Sequence, residues 1–166
     1  MNHAALSDFE EVKNIFYQYR DIFPHIRTDY MMRQIEGGHC ILQDGVVITY
    51  NFYKRPQQIG TAFYTTANRY HCILHQIVKD STKDTSAGLV LQEFFKSAQA
   101  DVWLSVRRDN VVAKKFYERQ GMELVGECSW ADETLPGDVY LHQRTLNIWD
   151  WPIWDPDNPA INREII

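Results

Sequence analysis

No stretch of the sequence approaches the roughly 20 apolar residues that span a bilayer, so no membrane-spanning helix is expected. The opening MNHAALSDFEEVKNIF has neither an apolar h-region nor a small-residue cleavage site, so no secretory signal is expected. Positive charge is also short. Lys and Arg number 17 against 22 Asp and Glu, a formal net charge of −5. Such a chain has no global field to draw it onto nucleic acid or an anionic membrane, and neither is expected as a partner. Cysteine is sparse. Cys40, Cys72 and Cys128 are odd in number, far apart, and form no CxxC or Cys/His zinc spacing. Each sits in an apolar stretch, where free thiols are commonly buried. That usage suits a reducing compartment, and the expected location is the cytoplasm.

What is present fits one domain with a real core: 166 residues, 45% apolar and 23% charged. Ser7-Asp8-Phe9-Glu10 reads as a capping box. Val12, Phe16, Tyr19 and Phe23 follow at helical spacing, and Pro24 stops the helix. A shorter helix is expected after Thr28, carrying Tyr30, Met31, Gln34 and Ile35 and ending at Gly37-Gly38. Asp44-Gly45 between two β-rich runs predicts a hairpin. Residues 54–60 read as a loop, 61–66 as a short strand and 70–78 as a longer one. A polar loop then leads to a helix starting near Ala87 or Gly88, with Val90, Leu91, Phe94 and Phe95 on its buried face. A strand over 102–106, a helix from Asn110 to Gln120 capped by Gly121, and an antiparallel pair over 122–130 and 138–145 complete the order.

Two strand–helix–strand units predict parallel strands with right-handed crossovers in the middle of the sheet. The fold class expected is α/β, an α+β mixed central sheet of about six to seven strands with helices on both faces. One domain is expected over 1–148. The stretch from 149 onward holds Trp149, Trp151, Trp154 and three of the six prolines. It is expected as an irregular extension packed on the same domain.

The informative segment is 102–126, VWLSVRRDNVVAKKFYERQGMELVG. It resembles the second half of the acyl-CoA site of the GNAT N-acetyltransferase superfamily. There a strand leads to Asn-x-x-Ala-x-x-Phe-Tyr-x-x-x-Gly and then to a strand ending in Val-Gly. Asn110, Ala113, Phe116, Tyr117, Gly121 and Gly126 match. The resemblance implies a GNAT-like fold and transfer of an acetyl group from acetyl-CoA, as co-substrate, to a primary amine. No metal is implied, and a homodimer is common in the family. It implies that Asn110, besides capping the helix, faces the pantetheine arm with Ala113 and Phe116 beside it. It makes Tyr117 the general acid for the departing thiolate. A phenol suits that role because its ordinary pKa of about 10 keeps it protonated at neutral pH.

The first half of such a site is a pyrophosphate loop, Arg/Gln-x-x-Gly-x-Gly/Ala, opening a helix. Here the sequence departs from the pattern. The segment is STKDTSAGLVL, residues 81–91. One register puts Lys83, Ser86 and Gly88 on the motif; a second puts Thr82, Thr85 and Ala87 there. The apolar face of the following helix favours the second. Hydroxyl residues stand where glycine or the leading basic residue belongs. By the same resemblance Ile77 and Val78 end the strand whose backbone receives the pantetheine. His71 and His75, four apart on that strand, share a face and are candidates for the general base. Glu36, Asp132 and Glu133 are carboxylates that could hold an amine, although each lies near a predicted turn. The alternative function is a non-catalytic GNAT-like domain that binds CoA or a protein partner.

Overall fold

Apolar periodicity becomes burial on the two faces of one sheet. A computed structural model of the chain describes residues 1–21, 26–66 and 70–144. The predicted stops at Phe23-Pro24 and the Trp/Pro-rich stretch from 149 onward lie outside the described residues.

α1 (Phe9–Tyr17) buries Val12, Ile15 and Phe16. It begins behind Asp8, not behind Ser7: a single 3-10 turn over Leu6–Asp8 comes first. The Asp8 carboxylate accepts instead from the Ala5 amide at 2.8 Å. α2 (Thr28–Glu36) buries Met31, Gln34 and Ile35. β1 (Cys40–Gln43) and β2 (Val46–Tyr53) form the expected hairpin. Its two turn residues, Asp44 and Gly45, both have positive φ, as a two-residue I′ turn requires.

β3 (Gln58–Ile59) and β4 (Phe63–Tyr64) make a small separate hairpin, so the expected loop over 54–60 contains a strand. β5 (His71–Lys79), α3 (Ala87–Ala98), β6 (Val102–Arg107), α4 (Val111–Arg119), β7 (Glu123–Trp130) and β8 (Leu135–His142) follow.

The main sheet has six strands in the order β1-β2-β5-β6-β8-β7. β5 and β6 are its one adjacent parallel pair among the described residues. The second strand–helix–strand unit does not give another. β8 returns antiparallel and slots between β6 and β7, because hairpin closure from β7 into β8 is local and hydrogen-bonds both edges of β8.

Strand alternation separates two cores. On one face α3 and α4 cover Ile48, Tyr50, Cys72, Leu74, Leu104 and Tyr140. On the other, α1 and α2 cover Val47, Val78 and Cys40. The β3–β4 hairpin lies on this second face as well, where Ile59 and Phe63 join Ile73, Trp103, Val139 and Leu141.

Candidate active site

The geometry of the site starts with an interruption in the sheet. β5 and β6 are joined only at Cys72↔Val102 and Ile73↔Trp103. Beyond those pairs, toward their C-terminal ends, the strands part. β5 is not frayed there, since its other edge stays paired with β2 as far as Lys79. One backbone edge of β5 is therefore bonded and the other is turned to a gap.

A bulge sits at the same place. Thr49 pairs with Gln76 and Tyr50 with Leu74, so His75 is the extra residue. The bulge breaks the period-2 alternation. Cys72 and Leu74 face α3 and α4, and beyond the bulge Ile77 packs on that same face while Val78 turns to the other.

The two histidines are not equivalent. His71 is fully buried, and its Nε2 lies 3.0 Å from Thr65 Oγ1. His75 opens onto a cavity of about 220 Å³ at the strand gap. Leu74 and Ser105 line it from the two strands, Tyr53, Gln57 and Gly60 from β2 and the small hairpin, and Trp130 from the end of β7. His71 does not line it. The ring of Tyr30 on α2 meets His75 edge-on at 6.3 Å. Burial on its protein side lowers the His75 pKa below the ordinary 6.5. Tyr30, Tyr53, Ser105 and Trp130 were not anticipated from sequence. They come from four separate elements, and no local motif links them.

Tyr117 lies on the opposite face, packed by α4 onto the core beneath α3 and α4. Its ring neighbours Phe116 at 5.5 Å and Tyr140 at 6.2 Å. Desolvation pushes its hydroxyl up to about 12, so it is protonated at any physiological pH. Asn110 caps α4, its Oδ1 accepting from the Ala113 amide at 3.2 Å. Ala113 and Phe116 pack on the same core as Tyr117.

The β5–α3 loop carries the other expected residues. Ser86 is the N-cap of α3, with Oγ accepting from the Leu89 amide at 3.2 Å. Ala87 therefore opens the helix, and Val90, Leu91, Phe94 and Phe95 are its buried residues. The Thr85 hydroxyl oxygen is buried with no hydrogen-bond partner. Gly88 closes on the end of α4, where a Cβ would stand 2.7 Å from Gln120 Nε2. Lys83 Nζ lies 3.8 Å from a Glu11 carboxylate oxygen, both side chains half exposed. Two amides of the loop are already used. That of Ser81 donates to Gln18 Oε1 at 2.8 Å, and that of Thr82 to Asp80 Oδ1 at 2.9 Å. The Thr82 hydroxyl, donating to Asp80 Oδ1 at 2.7 Å, then the Gln18 amide at 3.0 Å and the Thr82 backbone amide hold the Asp80 carboxyl down at about 2.

Glu36, Asp132 and Glu133 do not line the cavity. Among the described residues no group of three or more His, Cys, Asp and Glu could hold a metal ion, and no helix is long and apolar enough to cross a membrane.

No family model and no curated protein matches the chain. Solved structures do. A GNAT-family acetyltransferase from Bacillus cereus superposes with a TM-score of 0.64 at 18% identity, over 87% of this chain and 96% of that one. Arabidopsis thaliana NAA60 in complex with acetyl-CoA gives 0.61 at 16%, over 86% and 97%. The Escherichia coli ribosomal-protein-S18-alanine N-acetyltransferase gives 0.62 at 13%, over 88% and 94%. Likeness over nearly the whole of each chain, with the same mixed sheet and flanking helices, shows that this protein has the fold of the GNAT acetyltransferases.

Proposed function

We propose that the protein is an acetyl-CoA-dependent N-acetyltransferase acting on an amine. The observation that carries this reading is the gap between β5 and β6, with His75 on one side of the sheet and Tyr117 on the other. A donor lying on the α3–α4 face can present its acetyl carbon to the gap, and an acceptor enters from the cavity.

In this reading each group has one task. His75 takes the proton that leaves the ammonium, because only a neutral amine has a lone pair for the thioester carbon. The unpaired edge of β5 near Ile77 and Val78 supplies N–H groups to the developing oxyanion. Tyr117 gives its proton to the departing thiolate as the new amide forms. His71 supports the strand and takes no part. At the pyrophosphate end, the first amides of α3 at Ala87 and Gly88 and the Lys83 ammonium suit a phosphate group. Asn110, Ala113 and Phe116 flank the pantetheine arm.

Two neighbours support the chemistry by their names: one was solved with acetyl-CoA and another acts on an alanine of a ribosomal protein. One observation favours the non-catalytic alternative. The Ser81 and Thr82 amides, which a glycine-rich loop would leave for phosphate, are satisfied by Gln18 and Asp80.

Thermal unfolding with acetyl-CoA, and with ATP as control, separates the two. A native-state ligand at about 100 times its Kd adds roughly 2.7 kcal/mol, several degrees in Tm for a chain of this size. A shift with acetyl-CoA and not ATP, followed by thiol release on adding amines, is expected. No shift at millimolar acetyl-CoA defeats the acetyltransferase reading.

A further inference from the structure

The β3–β4 hairpin lies across the sheet where the strand gap opens. Ile73 and Trp103 are the last bonded pair of β5 and β6, and Ile59 and Phe63 of the hairpin share a buried cluster with both. His75 and Ser105 each stand two residues beyond that pair and line the cavity at the gap. Gln57, Gln58, Ile59 and Gly60 line it from the hairpin. Building on the acetyltransferase reading, we infer that this hairpin is a fixed wall that selects the acceptor by the bulk around its amine. His71, Thr65 and Gly126 are the positioning residues that hold the wall over the gap.

Both ends of the wall are pinned. At its base the Thr65 amide donates to the Gln57 carbonyl at 2.8 Å, and the Thr65 hydroxyl accepts from the Gln57 amide at 2.7 Å. The same hydroxyl shares a hydrogen bond of 3.0 Å with His71 Nε2, and Thr65 and His71 are both buried. His71 lies on β5, four residues before His75. It stays out of the chemistry and ties the wall to the strand that carries the base.

The other end is seated on β7. The Thr61 amide donates to the Ser129 carbonyl at 2.9 Å, and the Thr61 hydroxyl donates to the same oxygen at 3.2 Å. Gly60 permits that approach: its φ is +61°, and a Cβ would stand 2.6 Å from the Ser129 carbonyl oxygen. The Phe63 ring lies over Gly126, where a Cβ would come within 2.4 Å of Cε2. Phe63 also meets Trp103, with ring centroids 5.7 Å apart. The hairpin therefore bridges the two halves of the sheet that part at the gap.

Burial of Ile59 and Phe63 explains the apolar seat. It does not explain the hydrogen-bonded base, which fixes Gln57. Alternation puts Gln57 on the sheet side of the hairpin with Ile59, half-buried, whereas Gln58 is exposed. A wall held on both halves keeps its distance from His75. Distance at the reacting centre decides rate, since a misplacement of about 1 Å costs up to about 10²-fold.

The test uses the full chain with acetyl-CoA. Thiol release and product mass are followed for two pairs of probes that differ in bulk, glycinamide against phenylalaninamide and ethylamine against phenethylamine. Gln57→Ala shortens the wall and leaves the backbone bonds at its base intact. It should raise kcat/KM for the bulkier member of a pair relative to the smaller by about tenfold. Thr65→Val keeps the side-chain shape and removes the hydroxyl. It should lower kcat/KM for the amine about tenfold while KM for acetyl-CoA stays the same. Thr65→Ser, which keeps the hydroxyl, should restore the amine kinetics. An unchanged size preference in Gln57→Ala overturns the proposal. So does a Thr65→Val variant that weakens donor and amine alike, or neither, and so does a Thr65→Ser variant that behaves as Thr65→Val. Should Thr65→Val fail to fold, Gln57→Ala decides alone. A chain that acetyl-CoA stabilises but that transfers to none of the four amines also overturns the proposal. Absence of both stabilisation and turnover defeats the acetyltransferase reading itself.

Discussion

Tyr117 and His75 show how one side chain's surroundings decide what it can do. Burial raises the Tyr117 hydroxyl to about 12 and keeps its proton available for donation. Tyr117→Phe keeps the ring packing and removes the proton. We expect kcat to fall about 10²–10³-fold with KM for acetyl-CoA little changed, checked by steady-state kinetics. An unchanged kcat would remove Tyr117 from the chemistry. His142 gives a prediction of another kind. Its ring stacks on Phe95 at 3.9 Å, and its Nδ1 is buried with no hydrogen-bond partner. Desolvation, partly opposed by Asp101, lowers its pKa from 6.5. The unfolded chain therefore binds this proton first as pH falls. The stability contribution of neutral His142 is complete above 6.5 and is lost as pH falls through the lowered folded value. His142→Phe should flatten that part of a Tm-against-pH curve, and an unaltered slope below 6.5 would refute the assignment.

At the scale of elements, α4 is held at two points. Asp138, almost fully buried on β8, receives Lys114 at 2.7 Å and Arg108 at 3.2 Å. Two residues on, the buried Tyr140 donates to Glu118 at 2.9 Å. Lys114 and Glu118 are four apart, on one side of the helix and flanking Tyr117. Asp138→Asn leaves Lys114 and Arg108 without their shared anion. A loss of about 2 kcal/mol in urea unfolding is expected, with kcat reduced more than KM because Tyr117 loses its lateral hold. A loss of stability with no effect on kcat would show that the pin is structural only. The bulge at His75 is the other element-scale device. A regular β5 would keep alternating at the period of two, and the one-residue insertion moves Ile77 and Val78 out of that phase.

Across the whole molecule, the end of α1 and the β1–β2 turn are tied to the β5–α3 loop. Gln18, just beyond α1, accepts from the Ser81 amide and hydroxyl at 2.8 and 2.9 Å and donates to Asp80 at 3.0 Å. The β1–β2 turn joins the same loop, its Gly45 carbonyl accepting from the Asp80 amide at 2.8 Å. Asp80 thus puts a fixed negative charge where phosphate is expected. Asp80→Asn keeps an acceptor oxygen for Thr82 and removes the charge. Acetyl-CoA should then bind about fivefold tighter at low salt, with the gain shrinking as ionic strength rises. Titration calorimetry at two salt concentrations checks this. Equal affinity at both would mean that the loop does not meet the phosphates.

Much of this was legible in the chain, because it depends on short-range rules. Helical spacing marked Val90, Leu91, Phe94 and Phe95, and Asn110 and Ser86 stand at the caps that their side-chain oxygens favour. Asp44-Gly45 specified a turn that few other pairs can adopt. The motif from Asn110 to Gly126, with the strands and helix predicted around it, was enough to name the fold. Tertiary structure alone decided the rest. β8 entered between β6 and β7, which no local pattern encodes, since strand order depends on which edges remain open after hairpins close. Packing against Thr65 and Tyr53 buried His71, while His75, at the bulge, opens onto the cavity, a difference that period-2 counting could not show. The cavity gathers Tyr53, Gln57, His75, Ser105 and Trp130 from positions up to 77 residues apart in sequence. Convergence over that separation is a property of the packed sheet, and periodicity, which sees only a few neighbours at a time, carries no record of it.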